Sequence, residues 1–394
     1  MTQEDPMAET VADTHSPLHD EHVALGATMT PFAGWLMPLR YSSDLAEHTA
    51  VRTAAGLFDL SHMGEIAVHG PQAAAFLDHA LVGAISRVAP MRAKYTMICA
   101  PDGGVIDDLV VYRVADEEFM VVANASNAAT VVAELVARAA GFDVELRDDS
   151  SATALVAVQG PRAAEILRAT AGLAEDPAIS GGTAFDELKY YACLRMRFAR
   201  QPVLVGRTGY TGEDGYEIWL EADRAPALWR ALLAAGQPFG LVPAGLAARD
   251  SLRLEAGMPL YGNELDRTTT PFDAGLGRVV ALDKTATVGP ADFVGQAALA
   301  ARAQAPARRV LVGLAGDGRR AARHGYPVLS GTDEGATVVG TVTSGAPSPT
   351  LGHPVAMAYV APEVAAEGTR LAVDVRGRAE PVHVVPLPFY RRPR

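Results

Sequence analysis

Two motifs stand out because they place carboxylates inside apolar, strand-like runs. The first is Gly103-Gly104-Val105-Ile106-Asp107-Asp108-Leu109-Val110-Val111-Tyr112. Successive side chains of a strand point to opposite faces, so Asp108, Val110 and Tyr112 share one face and Asp107, Leu109 and Val111 the other. The Leu109/Val111 side has the better claim to the core, which leaves Asp108 and Tyr112 facing a groove. Alternatively, both aspartates cap the Gly-Gly turn. A carboxylate in a groove can accept a proton or stabilise developing positive charge. The second motif is Gly206-Arg207-Thr208-Gly209-Tyr210-Thr211-Gly212-Glu213-Asp214-Gly215-Tyr216-Glu217-Ile218-Trp219-Leu220. Its glycines tighten a turn, and Glu217 then sits between Tyr216 and Ile218 in an apolar strand. A carboxylate there needs donors. They could come from a ligand with two adjacent N–H groups, such as an aminopyrimidine edge, or from Arg249 or Arg253 on the following helix.

Other chemistry has less to rest on. His62, in DLSHMGE, reads as a structural hydrogen-bonder rather than a base. Cys99 and Cys193 are far apart without a CxxC, so buried free thiols are expected. Arg391, Arg392 and Arg394 could hold an anionic tail or keep the chain end soluble. The chain has no GxGxxG after a strand, no GxxxxGK[ST], no HExxH and no GxSxG, so the common nucleotide, zinc-protease and serine-hydrolase sites find no support.

These motifs need a frame. The 394 residues suggest two or three domains, and a charged fraction of 20% excludes global disorder. A net charge of −12 argues against nucleic acid or an anionic membrane as partner. The longest uncharged stretch, Phe119 to Ala133, is broken by polar residues, so no transmembrane helix is expected. Residues 1–16 are acidic and lack both Arg and an apolar centre, which reads as a disordered tail on a cytoplasmic protein. Short strands and helices then alternate: a strand at 64–69, a helix opened by Pro71, a strand from Tyr95 to Ala100, the VIDDLVVYRV strand, a strand from Glu118 to Ala123 and a helix from about Asn127 to Ala140. A similar unit follows, with ATALVAVQG as strand and a helix after Pro161. Strands dominate 181–221, and Pro243 opens the helix AGLAARDSLRLEA, stopped by Gly257. Gln296 to Arg309 reads as helix and linker. Beyond it, short strands separated by Gly and Pro predict a small all-β barrel or sandwich. The class is α+β. The expected division is a region spanning 17–285, a linker at 286–308 and a β domain at 309–394.

In these motifs the chain resembles the T-protein family of the glycine cleavage system, from about Pro17 to Phe389. The resemblance runs in order through FAGWLMPLRY (32–41), GLFDLSHM (56–63), GGVIDDLVVY (103–112), VQGP (158–161), GYTGEDGYEI (209–218), GLAARDSLRLEAGMPLYGNELD (245–266) and GTVTSGAPSPTLG (340–352). It implies a three-lobed, cloverleaf-like arrangement, with two folate-enclosing α+β lobes, not necessarily contiguous in sequence, and a C-terminal β-barrel. It also implies transfer of the aminomethyl group carried on the dihydrolipoyl arm of the H protein to tetrahydrofolate, with release of ammonia. Tetrahydrofolate is then a co-substrate, and no metal, flavin or nicotinamide is called for. By motif match, Asp108 is the essential aspartate, Glu217 the folate-binding glutamate and Arg249 the arginine of the site. Tyr95, Tyr112, Tyr210 and Met63 match positions lining the pterin and aminobenzoyl pocket. Asn124 of VVANASN matches the family's asparagine, and Arg391 is placed at its C-terminal folate contact. Sibling readings are a folate-dependent demethylase and a non-catalytic folate-binding iron–sulfur assembly factor. The KGCYxGQE-like motif of the latter is replaced here by EAGMPLYGNELD.

Overall fold

The computed structural model describes residues 13–181, 183–285 and 288–393. Three lobes are present. The first is a five-stranded sheet ordered Arg92–Cys99, Val105–Ala115, Glu118–Ala123, Gly64–His69 and Glu145–Asp148. One face buries Ile66, Val68, Leu109, Val111 and Val121 against Phe76 and Leu77 of helix Ala73–Ala80 and Val131 and Leu135 of helix Ala128–Arg138. The second is a seven-stranded sheet ordered Leu173–Glu175, Cys193–Phe198, Gln201–Gly206, Gly215–Glu221, Thr153–Gln159, Ala55–Asp59 and Leu241–Pro243. It packs on helices Ala163–Ala169 and Ala225–Gly236, with Trp229, Leu228 and Ile166 fully buried between them. Because strand Ala55–Asp59 precedes the five-stranded lobe and its neighbours follow it, the second lobe is discontiguous in sequence. The third lobe is a closed six-stranded barrel within Val310–Val385.

The other faces of the two sheets meet. Phe58, Leu155, Ala157 and Trp219 of the seven-stranded sheet pack with Tyr112 and Val122 of the five-stranded sheet and with Ala248 and Leu252 of helix Leu246–Glu255. This shared layer explains how acidic residues can sit mid-strand in both sheets. The strands carrying Asp108 and Glu217 each turn one face to their own lobe's helices and the other to the opposing lobe.

Two expectations about local structure are corrected. Thr14 and His15 pair with Trp35 and Leu36, and buried Ser16 donates to Asp59, so the end of the expected 1–16 tail is part of the fold. Residues 1–12 lie outside the described residues. Pro243 ends a strand running parallel to Ala55–Asp59 instead of opening a helix. The helix starts after Gly245, whose N–H donates to Glu47 Oε2 at 2.9 Å and where a Cβ would meet the Leu39 carbonyl at 2.3 Å. In the 286–308 stretch, helix Gln296–Gln304 docks on the five-stranded lobe, with Leu299 buried against Cys99 and Val105. Residues 286 and 287 lie outside the described residues.

Candidate functional site

Strand Val105–Ala115 carries the first cluster. A register shift opposite Ile98/Cys99 makes Ile106 the extra residue of a bulge, after which alternation is regular. Leu109 and Val111 enter the helix-facing core, and Val110 and Tyr112 enter the layer between the sheets. Asp108 falls on the Tyr112 side. Its Oδ2 accepts from the Tyr95 hydroxyl at 2.9 Å, a diagonal cross-strand contact, and its Oδ1 accepts from Asn124 Nδ2 at 2.9 Å. Burial raises the Asp108 carboxyl and these two donors oppose it, leaving it at about 6.

Asp107 is fully buried on the other side. Its Oδ1 accepts from Asn124 Nδ2 at 2.8 Å and Asn127 Nδ2 at 2.7 Å, and its Oδ2 accepts from the Asn124 backbone N–H at 3.0 Å. Burial first, then the charge of Asp108, pushes its carboxyl up to about 7. Neither aspartate caps the Gly-Gly turn. That task falls to Asp102, which accepts from the Gly104 N–H at 3.0 Å. The two glycines serve different needs: Gly103 has φ 87°, and a Cβ on Gly104 would lie 2.1 Å from the Arg267 carbonyl oxygen.

The second cluster comes from strand Gly215–Glu221. Glu217 is half-buried, and its Oε2 accepts from Thr208 Oγ1 and, at 3.3 Å, from the Tyr112 hydroxyl. Tyr112 and Thr208 are themselves 2.7 Å apart, and the Tyr112 ring meets Trp219 edge-on at 4.8 Å. Neither arginine proposed as a partner hydrogen-bonds to Glu217. Arg253 is buried in an ion pair with Glu264 at 3.0 Å, with further bonds to Asp250 and Ser344. Arg249 lies with its guanidinium 4.7 Å from the centroid of the Tyr210 ring and makes no hydrogen bond through its side chain among the described residues. Burial raises the Glu217 carboxyl, against the bond from Thr208 and the charge of Arg249. Glu217 Oε1 has no hydrogen-bond partner among the described residues. The site therefore presents one carboxylate oxygen and one guanidinium able to engage a planar ligand bearing N–H donors and a carbonyl or carboxylate.

The glycine-rich loop between strands Gln201–Gly206 and Gly215–Glu221 is shaped by packing. Gln159, at the end of strand Thr153–Gln159, donates to the Thr208 carbonyl at 3.1 Å and accepts from Thr211 Oγ1 at 3.0 Å. A Cβ on Gly209 would sit 2.0 Å from Gln159 Oε1, and one on Gly215 2.4 Å from Gln159 Nε2. The loop can wrap this side chain only because both positions are glycine. Tyr210 is held by a bond from its hydroxyl to the Pro259 carbonyl. Half-buried Met63 packs on the same layer as Tyr112.

Arg391 is exposed and makes no side-chain contact with the cluster. Its neighbour Arg392 instead approaches Asp214 Oδ1 at 3.4 Å and the Tyr190 ring at 5.7 Å. His62 does not hydrogen-bond through Nδ1: that buried atom lacks a partner among the described residues, its ring meets Phe32 edge-on at 5.5 Å, and burial pushes its pKa down to about 4, so it is neutral. Both cysteines are buried free thiols pushed up to about 12 by burial. Among the described residues no group of three or more His, Cys, Asp or Glu side chains is placed to hold a metal ion, and no helix is long and apolar enough to cross a membrane.

Three contributors escaped the sequence. Thr208 lies inside the quoted glycine motif and could have been read as a donor beside Glu217. Asn127 looked like a helix start. Tyr191, at φ 57°, has its hydroxyl raised by burial and then by its neighbour Tyr190 and the charges of Glu217 and Asp108, and nothing in its local sequence signals this.

The chain is similar to known proteins along nearly its whole length. Residues 18–284 match the family model of the GCVT N-terminal domain, and residues 309–391 match that of the glycine cleavage T-protein C-terminal barrel domain. The chain is 58% identical over 377 residues to an aminomethyltransferase of Saccharopolyspora erythraea, covering 96% of this chain and 98% of that one. It is 59% identical over 375 residues to an aminomethyltransferase of Streptomyces coelicolor, covering 94% and 96%. Among solved structures, the glycine cleavage system aminomethyltransferase T of Bartonella henselae superposes with a TM-score of 0.84 at 37% identity, covering 96% of this chain and 98% of that one.

Proposed function

The chain belongs to the glycine cleavage T-protein family and is an aminomethyltransferase with tetrahydrofolate as co-substrate; on that premise we propose that Asp108 is its catalytic carboxylate and that Glu217 and Arg249 orient the folate. The observation that carries this reading is that the inner faces of the two α+β lobes each contribute one carboxylate to a common layer, joined by the contact of Tyr112 with Glu217 at 3.3 Å. Each of the two sibling activities lacks support from relatives that match over nearly the whole chain as aminomethyltransferases.

The donor is the lipoylated H protein, whose arm presents an aminomethyl group as a thioaminal. Transfer to tetrahydrofolate gives 5,10-methylenetetrahydrofolate. Two folate N–H protons leave, one ending on ammonia and the other on the lipoyl sulfur. Asp108 holds a negative charge beside the carbon that becomes cationic as ammonia departs and accepts a proton from the attacking nitrogen. Tyr95 and Asn124 fix its two oxygens, so the acceptor is preorganised. Glu217 Oε1 takes the paired N–H groups of the pterin, and Arg249 takes its carbonyl or a carboxylate of the tail. Tyr112, Tyr210 and Met63 supply apolar walls. Arg391, exposed near the chain end, is assigned to the folate tail. We assign residues 17–285 to the folate-binding region, 286–308 to a linker and 309–394 to the barrel, and place the protein in the cytoplasm.

The test is direct: aminomethyl-loaded H protein and tetrahydrofolate are supplied together, and ammonia and methylenetetrahydrofolate are measured. Stoichiometric formation of both is expected. Turnover of dimethylsulfoniopropionate in place of the loaded H protein would overturn the reading.

A further inference from the structure

We propose that Asp107, which does not face the ligand, is a positioning residue that sets the proton affinity of Asp108 through the shared amide of Asn124, and that Asn127 in turn fixes Asp107. This rests on the assignment of Asp108 as the catalytic carboxylate. The Asn124 side-chain amide has two hydrogens, and the two carboxylates accept one each, at 2.8 Å and 2.9 Å. The carboxylates are thus held about two hydrogen-bond lengths apart, inside a layer from which water is largely excluded. Charges that close repel strongly in such a medium. Asp107 is not needed for folding in the usual sense of a turn or cap, since Asp102 caps the preceding turn. Yet it is given three donors, from Asn124 Nδ2, the Asn124 backbone and Asn127 Nδ2, the last at 2.7 Å. Three donors on a buried carboxylate keep its ionised form within reach near neutral pH, and its carboxyl lies at about 7 while that of Asp108 lies at about 6.

The surrounding charges do not mask the coupling. Glu264 raises Asp108 further. The other titratable groups facing the pair are the hydroxyls of Tyr95, Tyr191, Tyr210 and Tyr261, all raised, so they stay neutral as the aspartates titrate. Two interacting carboxyls lose their protons in two macroscopic steps. The first makes Asp108 a competent base. The second charges Asp107 and makes Asp108 a stronger one.

The expected signature is a pH–rate profile of ammonia release with two rises, the second shallow, about threefold for a gain of roughly one unit in base strength. In Asp107→Asn the second rise disappears and the plateau stays about threefold below wild type. Asn127→Ala, which removes one of the three donors, moves the second rise to higher pH, and Asn127→Ser, which keeps a hydroxyl donor, restores it towards its original position. If Asp107→Asn does not fold, the two Asn127 variants decide the matter alone. A second rise unmoved in Asn127→Ala, or variants that lose activity in parallel at every pH, would overturn the inference. Asp108→Asn separates the two claims: residual turnover near wild type in that variant sinks the catalytic assignment itself, whereas an inactive Asp108→Asn beside unshifted profiles sinks only the role of Asp107.

Discussion

Near neutral pH the Asp108 carboxyl, held at about 6, is mostly ionised, and acidification through that value neutralises it. A raised carboxyl binds its proton more readily than a free one, so turnover should fall as pH drops through about 6, well above the range in which an exposed aspartate would titrate. Ammonia release measured across that range, at saturating folate, checks this. At Glu217 the expected change is in binding. Glu217→Gln removes the negative charge from Oε1, the one oxygen left free for the pterin N–H groups, and loss of a charge-assisted hydrogen bond costs about 1–3 kcal/mol, a five- to hundredfold weaker folate affinity by calorimetry. Unchanged affinity in a folded variant would remove Glu217 from the pterin site.

Among the elements, the glycine-rich loop offers the sharpest test because its path depends on one buried side chain. Gly209→Ala would drive a methyl into Gln159, which is pinned by Thr208 and Thr211 and cannot swing aside. Overpacking of this kind costs about 1–3 kcal/mol, and it should also displace Tyr210 and raise the KM for folate. Adding Gln159→Ala should recover part of both losses, since it removes the atom the methyl strikes; a double variant as impaired as the sum of the two singles would contradict this loop geometry. At this scale much of the fold was legible. Alternation placed Asp108 with Tyr112 correctly, and the spacing of Gly and Pro marked the barrel strands. What the sequence could not supply was partnership across the lobe interface. Strand parity tells which face Glu217 occupies, and Thr208 is its neighbour in sequence, but the second donor, Tyr112, is brought to it by the meeting of two sheets, one of them in a lobe discontiguous in sequence. The proximity of Arg249 and Arg253 on one helix suggested an ion pair that Glu264 captures instead. Asp107 was misplaced at the turn for the same reason, because Asn124 and Asn127 lie on the far side of an intervening hairpin.

Over the whole molecule, the barrel is tied to the α+β lobes by a buried polar network centred on Arg52. Its guanidinium donates to Glu213 at 2.9 Å, to Glu255 at 2.9 Å and to the Thr211 carbonyl at 2.7 Å, beneath the Tyr390 ring. Glu255 also meets His48 at 3.1 Å and Thr350 of the barrel at 2.7 Å. Burial alone would raise Glu255, but these partners hold it at about 2. A depressed carboxyl contributes stability above its unfolded value, and that contribution is lost as pH falls from about 4 towards 2. Thermal unfolding across this window should show a steep loss that Glu255→Gln abolishes, at the expense of lower stability near neutrality. Arg52→Ala, which takes the guanidinium from between buried Glu213 and Glu255 and leaves Glu255 only its His48, Ser348 and Thr350 partners, should cost about 3–5 kcal/mol. The central claim, that the two lobes converge on Asp108 as the reacting carboxylate, is tested most directly by ammonia release from aminomethyl-loaded H protein in Asp108→Asn and Asp107→Asn, with folate affinity measured alongside. The expected result is a fall of about 10²–10⁴ for Asp108→Asn at nearly unchanged folate affinity, against about threefold for Asp107→Asn. An inactive Asp107→Asn beside an Asp108→Asn that still turns over would contradict it.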